Sequence, residues 1–78
     1  MSYRAYVTYG NTNEPISAVV QSEDSQTQEA VFNMEGSTAV LSETIGEIDP
    51  ETLMEMGVYA RGLPFVQAVE LNPEESNE

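Results

Sequence analysis

The sequence predicts an α+β domain, an antiparallel sheet of four or five short strands with one main helix, over about residues 50–61, packed on one face. Three observations carry this. Apolar residues alternate with period two at both ends of the chain, which is the pattern of a half-buried strand. A single strong helix-start signal, Asp49-Pro50-Glu51, stands between strand-like segments. Seventy-eight residues with 40% hydrophobic content and no cysteine leave one modest apolar layer to hold the fold, without disulfides or thiolate-bound zinc. The expected organisation is one compact domain over residues 1–71 and a disordered acidic tail over 72–78.

From Tyr3 to Tyr9 the chain puts Tyr3, Ala5, Val7 and Tyr9 on one side and Arg4, Tyr6 and Thr8 on the other. The segment from Gly10 to Pro15 is turn chemistry, with residues that tolerate positive φ and a proline that fixes the exit. A second strand runs from Ile16 to about Gln21, with Ile16, Ala18 and Val20 inward, and the short connection makes the two strands antiparallel neighbours.

Residues 25–35 admit two readings. As a short second helix, Ser25 caps, Gln28 completes a capping box, Ala30, Val31 and Met34 form the buried stripe, and Gly36 ends it. As a strand, Ala30, Phe32 and Met34 point inward and Glu35-Gly36 turns the chain back. Thr38 to Ile45 reads as a strand, stopped by Gly46.

At Asp49-Pro50-Glu51 an aspartate suits the N-cap, where its carboxylate can accept a hydrogen bond from a free amide. Proline suits the first helical position, and glutamate complements the positive end of the helix dipole. Leu53, Met56, Gly57 and Ala60 make one face, with Met54 and Val58 beside it and Glu51 and Glu55 outside. Gly62 and Pro64 end the helix, although Gly57 costs about 1 kcal/mol within it and could end it sooner. Phe65 to Leu71 reads as a final strand, apolar on both faces and therefore suited to a central place in the sheet.

Charge narrows the function more than any motif. Fourteen acids against two arginines give a net charge of −12, with no lysine and no histidine. Such a field repels nucleic acid and anionic lipid, so direct nucleic-acid binding and membrane attachment are not expected, while basic protein surfaces are attracted. The N-terminus lacks the long apolar run of a signal peptide, and no stretch approaches a membrane span. Nucleophilic catalysis lacks a base, since histidine, lysine and cysteine are all missing. No glycine-rich loop leads into a helix as a phosphate cradle requires, and no acidic loop follows the EF-hand spacing. The expectation is a protein with no catalytic residues, no metal site and no cofactor.

The constellation that remains is Glu43, Glu47, Asp49, Glu51 and Glu55, five acids within thirteen residues that hold no base. Capping and dipole complementarity account for Asp49 and Glu51, and ordinary solvation suits the others. Neither explains why no lysine or arginine stands four residues away, the usual partner on an exposed helix. A one-sign surface of this kind could imitate the phosphate rows of duplex DNA. Tyr6, on the polar side of its strand with Arg4, is a candidate interface anchor.

In size and acidity the whole chain is similar to small phage-encoded antagonists of restriction or CRISPR nucleases, a resemblance of composition that carries no motif. It implies an inhibitor that presents DNA-like negative charge to the basic groove of a nucleic-acid-binding protein or nuclease complex. The expected compartment is the cytoplasm, that of the host cell if the chain is phage-encoded. The alternative is a structural or adaptor module of a larger assembly, acidic for solubility or salt adaptation. A localised mimic concentrates its carboxylates on one surface, and a merely soluble protein spreads them.

Overall fold

The computed structural model describes residues 2–24 and 27–71. Five strands, β1 (Tyr3–Tyr9), β2 (Pro15–Ser22), β3 (Glu29–Glu35), β4 (Thr38–Ile45) and β5 (Ala68–Glu70), form one sheet, and α1 (Pro50–Arg61) lies between β4 and β5 in the chain. The sheet order follows the chain order, β1 to β5. The first four strands make an antiparallel meander, while β5 pairs with β4 in parallel after the crossover through α1. The architecture is the expected α+β fold, a mostly antiparallel sheet with one helix packed against it.

One open alternative is decided and one expectation is corrected. Residues 29–35 form a strand rather than a helix, because Ala30 and Phe32, two apart, are both fully buried in the core. Gly36, at φ 65°, makes the tight turn into β4. Residues 25 and 26, the start of the alternative helix, lie outside the described residues. The last strand is neither long nor central: it spans three residues at the sheet's far edge. Pro64 and Phe65 lie in a turn, closed by the Val66 amide donating to the Leu63 carbonyl at 3.1 Å, and Val66 is tucked into the core. The expected tail at 72–78 lies outside the described residues.

The sheet has two unlike faces. Toward the helix point Ala18, Val20, Ala30, Phe32 and Ala39, all fully buried, joined by Met56 and Ala60 of α1. Between β2 and β3, and at the far end of β3, register sets a large side chain on this face opposite a small one: Ala18 opposite Phe32, Val20 opposite Ala30, Met34 opposite Ala39. That alternation helps keep the layer level where Met56 and Ala60 of the helix pack on it. Ile16, expected inward, is exposed, and the core stripe of β2 is Ala18, Val20 and Ser22.

Helix α1 has the expected bounds, and Gly57 does not interrupt it. A β-carbon at Gly57 would lie 3.1 Å from Leu71 Cδ2, a tight approach, so the glycine gives the side chain of the residue after β5 room to lie close over the helix. At the N-terminus the Asp49 carbonyl accepts the Leu53 amide at 3.0 Å. The Asp49 side chain makes no hydrogen bond of capping geometry. The Thr52 hydroxyl beside it is the main influence that holds the carboxyl below its ordinary range.

Candidate partner-binding surfaces

A bulge in β4 decides where the predicted acids go. Phe32 pairs with Leu41 and Val31 with Glu43, which leaves Ser42 as the extra residue. Leu41 therefore stays on the helix side while Glu43, two residues later, turns to the opposite face beside Val31. Were Ser42 paired in unbroken alternation instead of bulged, the carboxylate of Glu43 would follow Ala39 and Leu41 toward the apolar layer, at a desolvation cost.

The six predicted site residues consequently separate into two groups. Glu43 and Tyr6 stand on the uncovered face of the sheet. Glu47, Asp49, Glu51 and Glu55 follow the loop into α1 and its outer turns, all exposed. The Glu47 carbonyl accepts Gln28 Nε2 at 2.8 Å, which fixes the loop to the start of β3.

The uncovered face is ordered into cross-strand rows by the register. One row runs Arg4, Gln21, Glu29, Ile45; the next Tyr6, Val19, Val31, Glu43; a third Thr8, Ser17, Asn33, Val40, Glu70. Val19, Val31 and Val40 are half-buried and Tyr6 is exposed. Acids enter these rows only from β3 onward, and the β1 end carries Arg4, Tyr6 and Thr8. Arg4 donates to Glu23 at 3.2 Å and to the Tyr6 hydroxyl at 3.4 Å. The Arg4–Glu23 contact is the one ion pair among the described residues.

On the helix side, sequence reasoning placed Met54 and Val58 beside the buried face, yet they are 62% and 73% exposed. Four residues apart, they form a ridge along α1. A shallow groove of about 500 Å³ on one flank is lined by Tyr3, Glu51, Glu55 and the ridge itself. A second groove, about 410 Å³, lies on the other flank between the ridge and β5, with Arg61 at its edge. Tyr3 spans the first groove: its hydroxyl donates to Glu55 Oε1 at 2.6 Å, and its ring lies 6.0 Å from that of Tyr59. Partial burial first, then the Glu55 hydrogen bond and nearby carboxylates, push the Tyr3 phenol up to about 12. The apolar ridge was missed because its spacing also suits a widened buried stripe; only the position of the helix over the sheet separates the two.

Among the described residues no group of three or more histidine, cysteine or acidic side chains is placed to hold a metal ion, and no helix is long and apolar enough to cross a membrane. Compared with known proteins, the chain matches no family model, and no curated protein or solved structure matches it significantly.

Proposed function

We propose that this protein is an acidic adaptor that docks through the outer face of α1 onto a protein surface combining an apolar groove with a basic rim. The carrying observation is the Met54–Val58 ridge, exposed in a chain of net charge −12 and flanked by Glu51 and Glu55. Apolar side chains projecting from a helix at i and i+4 are the anchors of helix-in-groove recognition. The acids around them steer a basic partner and reject an acidic one. The spread of carboxylates over the uncovered sheet face and, on the other side of the molecule, the helix supports an adaptor more than an imitation of one phosphate row, and phosphate rows carry no apolar ridge.

A second reading is favoured by the run Glu47, Asp49, Glu51 and Glu55, which has no cation within it. Here the protein inhibits a nucleic-acid-binding enzyme, such as a restriction or CRISPR nuclease, by occupying its basic groove. One experiment separates the two. Proteins captured from extract at low salt are identified, and the purified complex is challenged with duplex DNA and with the double variant Met54→Ser, Val58→Ser. The adaptor reading expects DNA to leave the complex intact and the double variant to lose at least tenfold in affinity. The inhibitor reading expects DNA to displace the protein and the double variant to bind as before.

A further inference from the structure

β1 is an edge strand, and among the described residues no strand pairs with its other side. The Glu23 amide donates to the Ser2 carbonyl at 3.0 Å, so Ser2 and Glu23 are a hydrogen-bonded pair. By alternation along the same register, the backbone groups of Arg4, Tyr6 and Thr8 turn toward β2, and those of Ala5 and Val7 turn outward. Protein edges of this length usually carry charges or proline that discourage pairing. This one carries a single charge and no proline: residues 1–13 contain one arginine, Arg4, and no acid, in a chain with fourteen acids.

We propose that β1 is a self-association edge, at which two copies of the chain join antiparallel into one continuous ten-stranded sheet. The register follows from the outward groups. With Tyr6 opposite Tyr6 of the second copy, at the middle residue of the strand, Ala5 and Val7 exchange both backbone hydrogen bonds across the joint. Tyr6 then sits at a non-hydrogen-bonded position, where side chains approach most closely. Arg4 falls opposite Thr8, so no like charges meet. The half-buried row of Val31 and Val19, which now ends at exposed Tyr6, continues through the second tyrosine into the same row of the second copy.

Charge sets a signature that separates this association from binding to a basic partner. Two bodies of net charge −12 repel each other, and salt screens that repulsion, with a Debye length of roughly 8 Å at physiological ionic strength and 3 Å at 1 M. Self-association therefore strengthens with salt, whereas capture by a basic surface weakens.

The test is sedimentation equilibrium of the full chain at 0.1 to 1 mM in low salt and in about 1 M sodium chloride. The expected result is a mass that moves from one chain toward two as salt rises. Tyr6→Lys lowers the net negative charge but sets two like charges opposite each other at the centre of the joint; it is expected to stay monomeric at every salt, with an unchanged circular dichroism spectrum. The chain has no cysteine, so a single Tyr6→Cys reports the register directly: under mild oxidation it is expected to give a disulfide-linked dimer at least tenfold faster than Asn33→Cys, on the same face two strands inward. A wild-type mass of one chain at every salt overturns the proposal. So does a dimer that survives Tyr6→Lys, or equal crosslinking of the two cysteine variants.

Discussion

The Tyr3 hydroxyl donates to the Glu55 carboxylate across fifty-two residues of chain, at 2.6 Å, and ties the edge strand to the outer turn of the helix. Because the donor is neutral and the acceptor ionised, the bond is stronger than an ordinary side-chain contact, and losing the proton would set two negative groups face to face. The folded protein holds the Tyr3 proton to about 12 against an ordinary value of 10.0. A raised acid of this kind contributes stability in full below the unfolded value and loses it as pH climbs through the folded one. Denaturation midpoints are expected to fall between pH 10 and 12, and Tyr3→Phe is expected to flatten that fall. Absorbance titration of tyrosinate should show a phase near pH 12 that disappears in Tyr3→Phe.

Asp49 has the opposite sign. Its carboxyl is held below its ordinary value, chiefly by the Thr52 hydroxyl, so its contribution is present above the unfolded value and lost as pH falls through the folded one. Asp49→Ala and Thr52→Val should each lower the thermal midpoint slightly at pH 7. Both differences should shrink as pH falls through the folded value of the carboxyl.

Two glycines with positive φ provide an internal comparison. Gly36 has φ 65° and open space where a β-carbon would go, while Gly46 has φ 83° and a β-carbon there would run into the Thr27 carbonyl oxygen. Gly36→Ala carries the left-handed penalty alone, roughly 1–2 kcal/mol. Gly46→Ala must also displace backbone, and urea denaturation is expected to find it less stable than Gly36→Ala by at least about 1 kcal/mol.

Core alternation predicts asymmetric tolerance. Phe32→Ala removes the largest fully buried side chain and is expected to cost about 3–5 kcal/mol. Ala30→Leu overfills the position opposite Val20 and is expected to cost about 1–3 kcal/mol by denaturant titration. In a domain whose total stability is on the order of 5–15 kcal/mol, the first variant approaches unfolding and the second does not.

Reversal of Glu47, Glu51 and Glu55 to lysine should slow association with a basic partner several-fold and weaken its salt dependence, with dissociation little changed. The matched reversal of Glu74, Glu75 and Glu78 controls for net charge. Equal losses in stopped-flow association by both triple variants would show that net charge alone steers the encounter.

Much of the fold was legible because its signals are local. The bounds of β1, β4 and α1 follow from alternation, from Gly46, and from Asp49-Pro50, each acting within a few residues. The strand over Glu29–Glu35 was ambiguous because Ala30, Val31 and Met34 satisfy a helical stripe as well as Ala30, Phe32 and Met34 satisfy a strand; burial of Phe32 between β2 and β4 settles it, and that is a tertiary fact. The candidate site was less legible. Nothing in the spacing from Leu41 to Glu43 announces the bulge at Ser42, so five acids close in sequence read as one surface although Glu43 faces away from the other four. The exposure of Met54 and Val58 was likewise hidden, since it depends on how α1 is rotated over the sheet.

The parallel pairing of β5 carries a consequence for the order of opening. Every contact in the four-strand meander joins neighbours in the chain, whereas β5 reaches β4 only after residues 46–67 have closed a loop through α1. Loop closure must precede any gain from such a pairing, and a three-residue strand returns little for it. Amide exchange should thus find the segment from Leu63 to Leu71 opening first, as a unit smaller than the whole. Once Leu71 swings away from Gly57, the helix loses its cover on that flank while the meander stays closed, and the slowest-exchanging amides are those of β2 and β3, which have a partner strand on both sides.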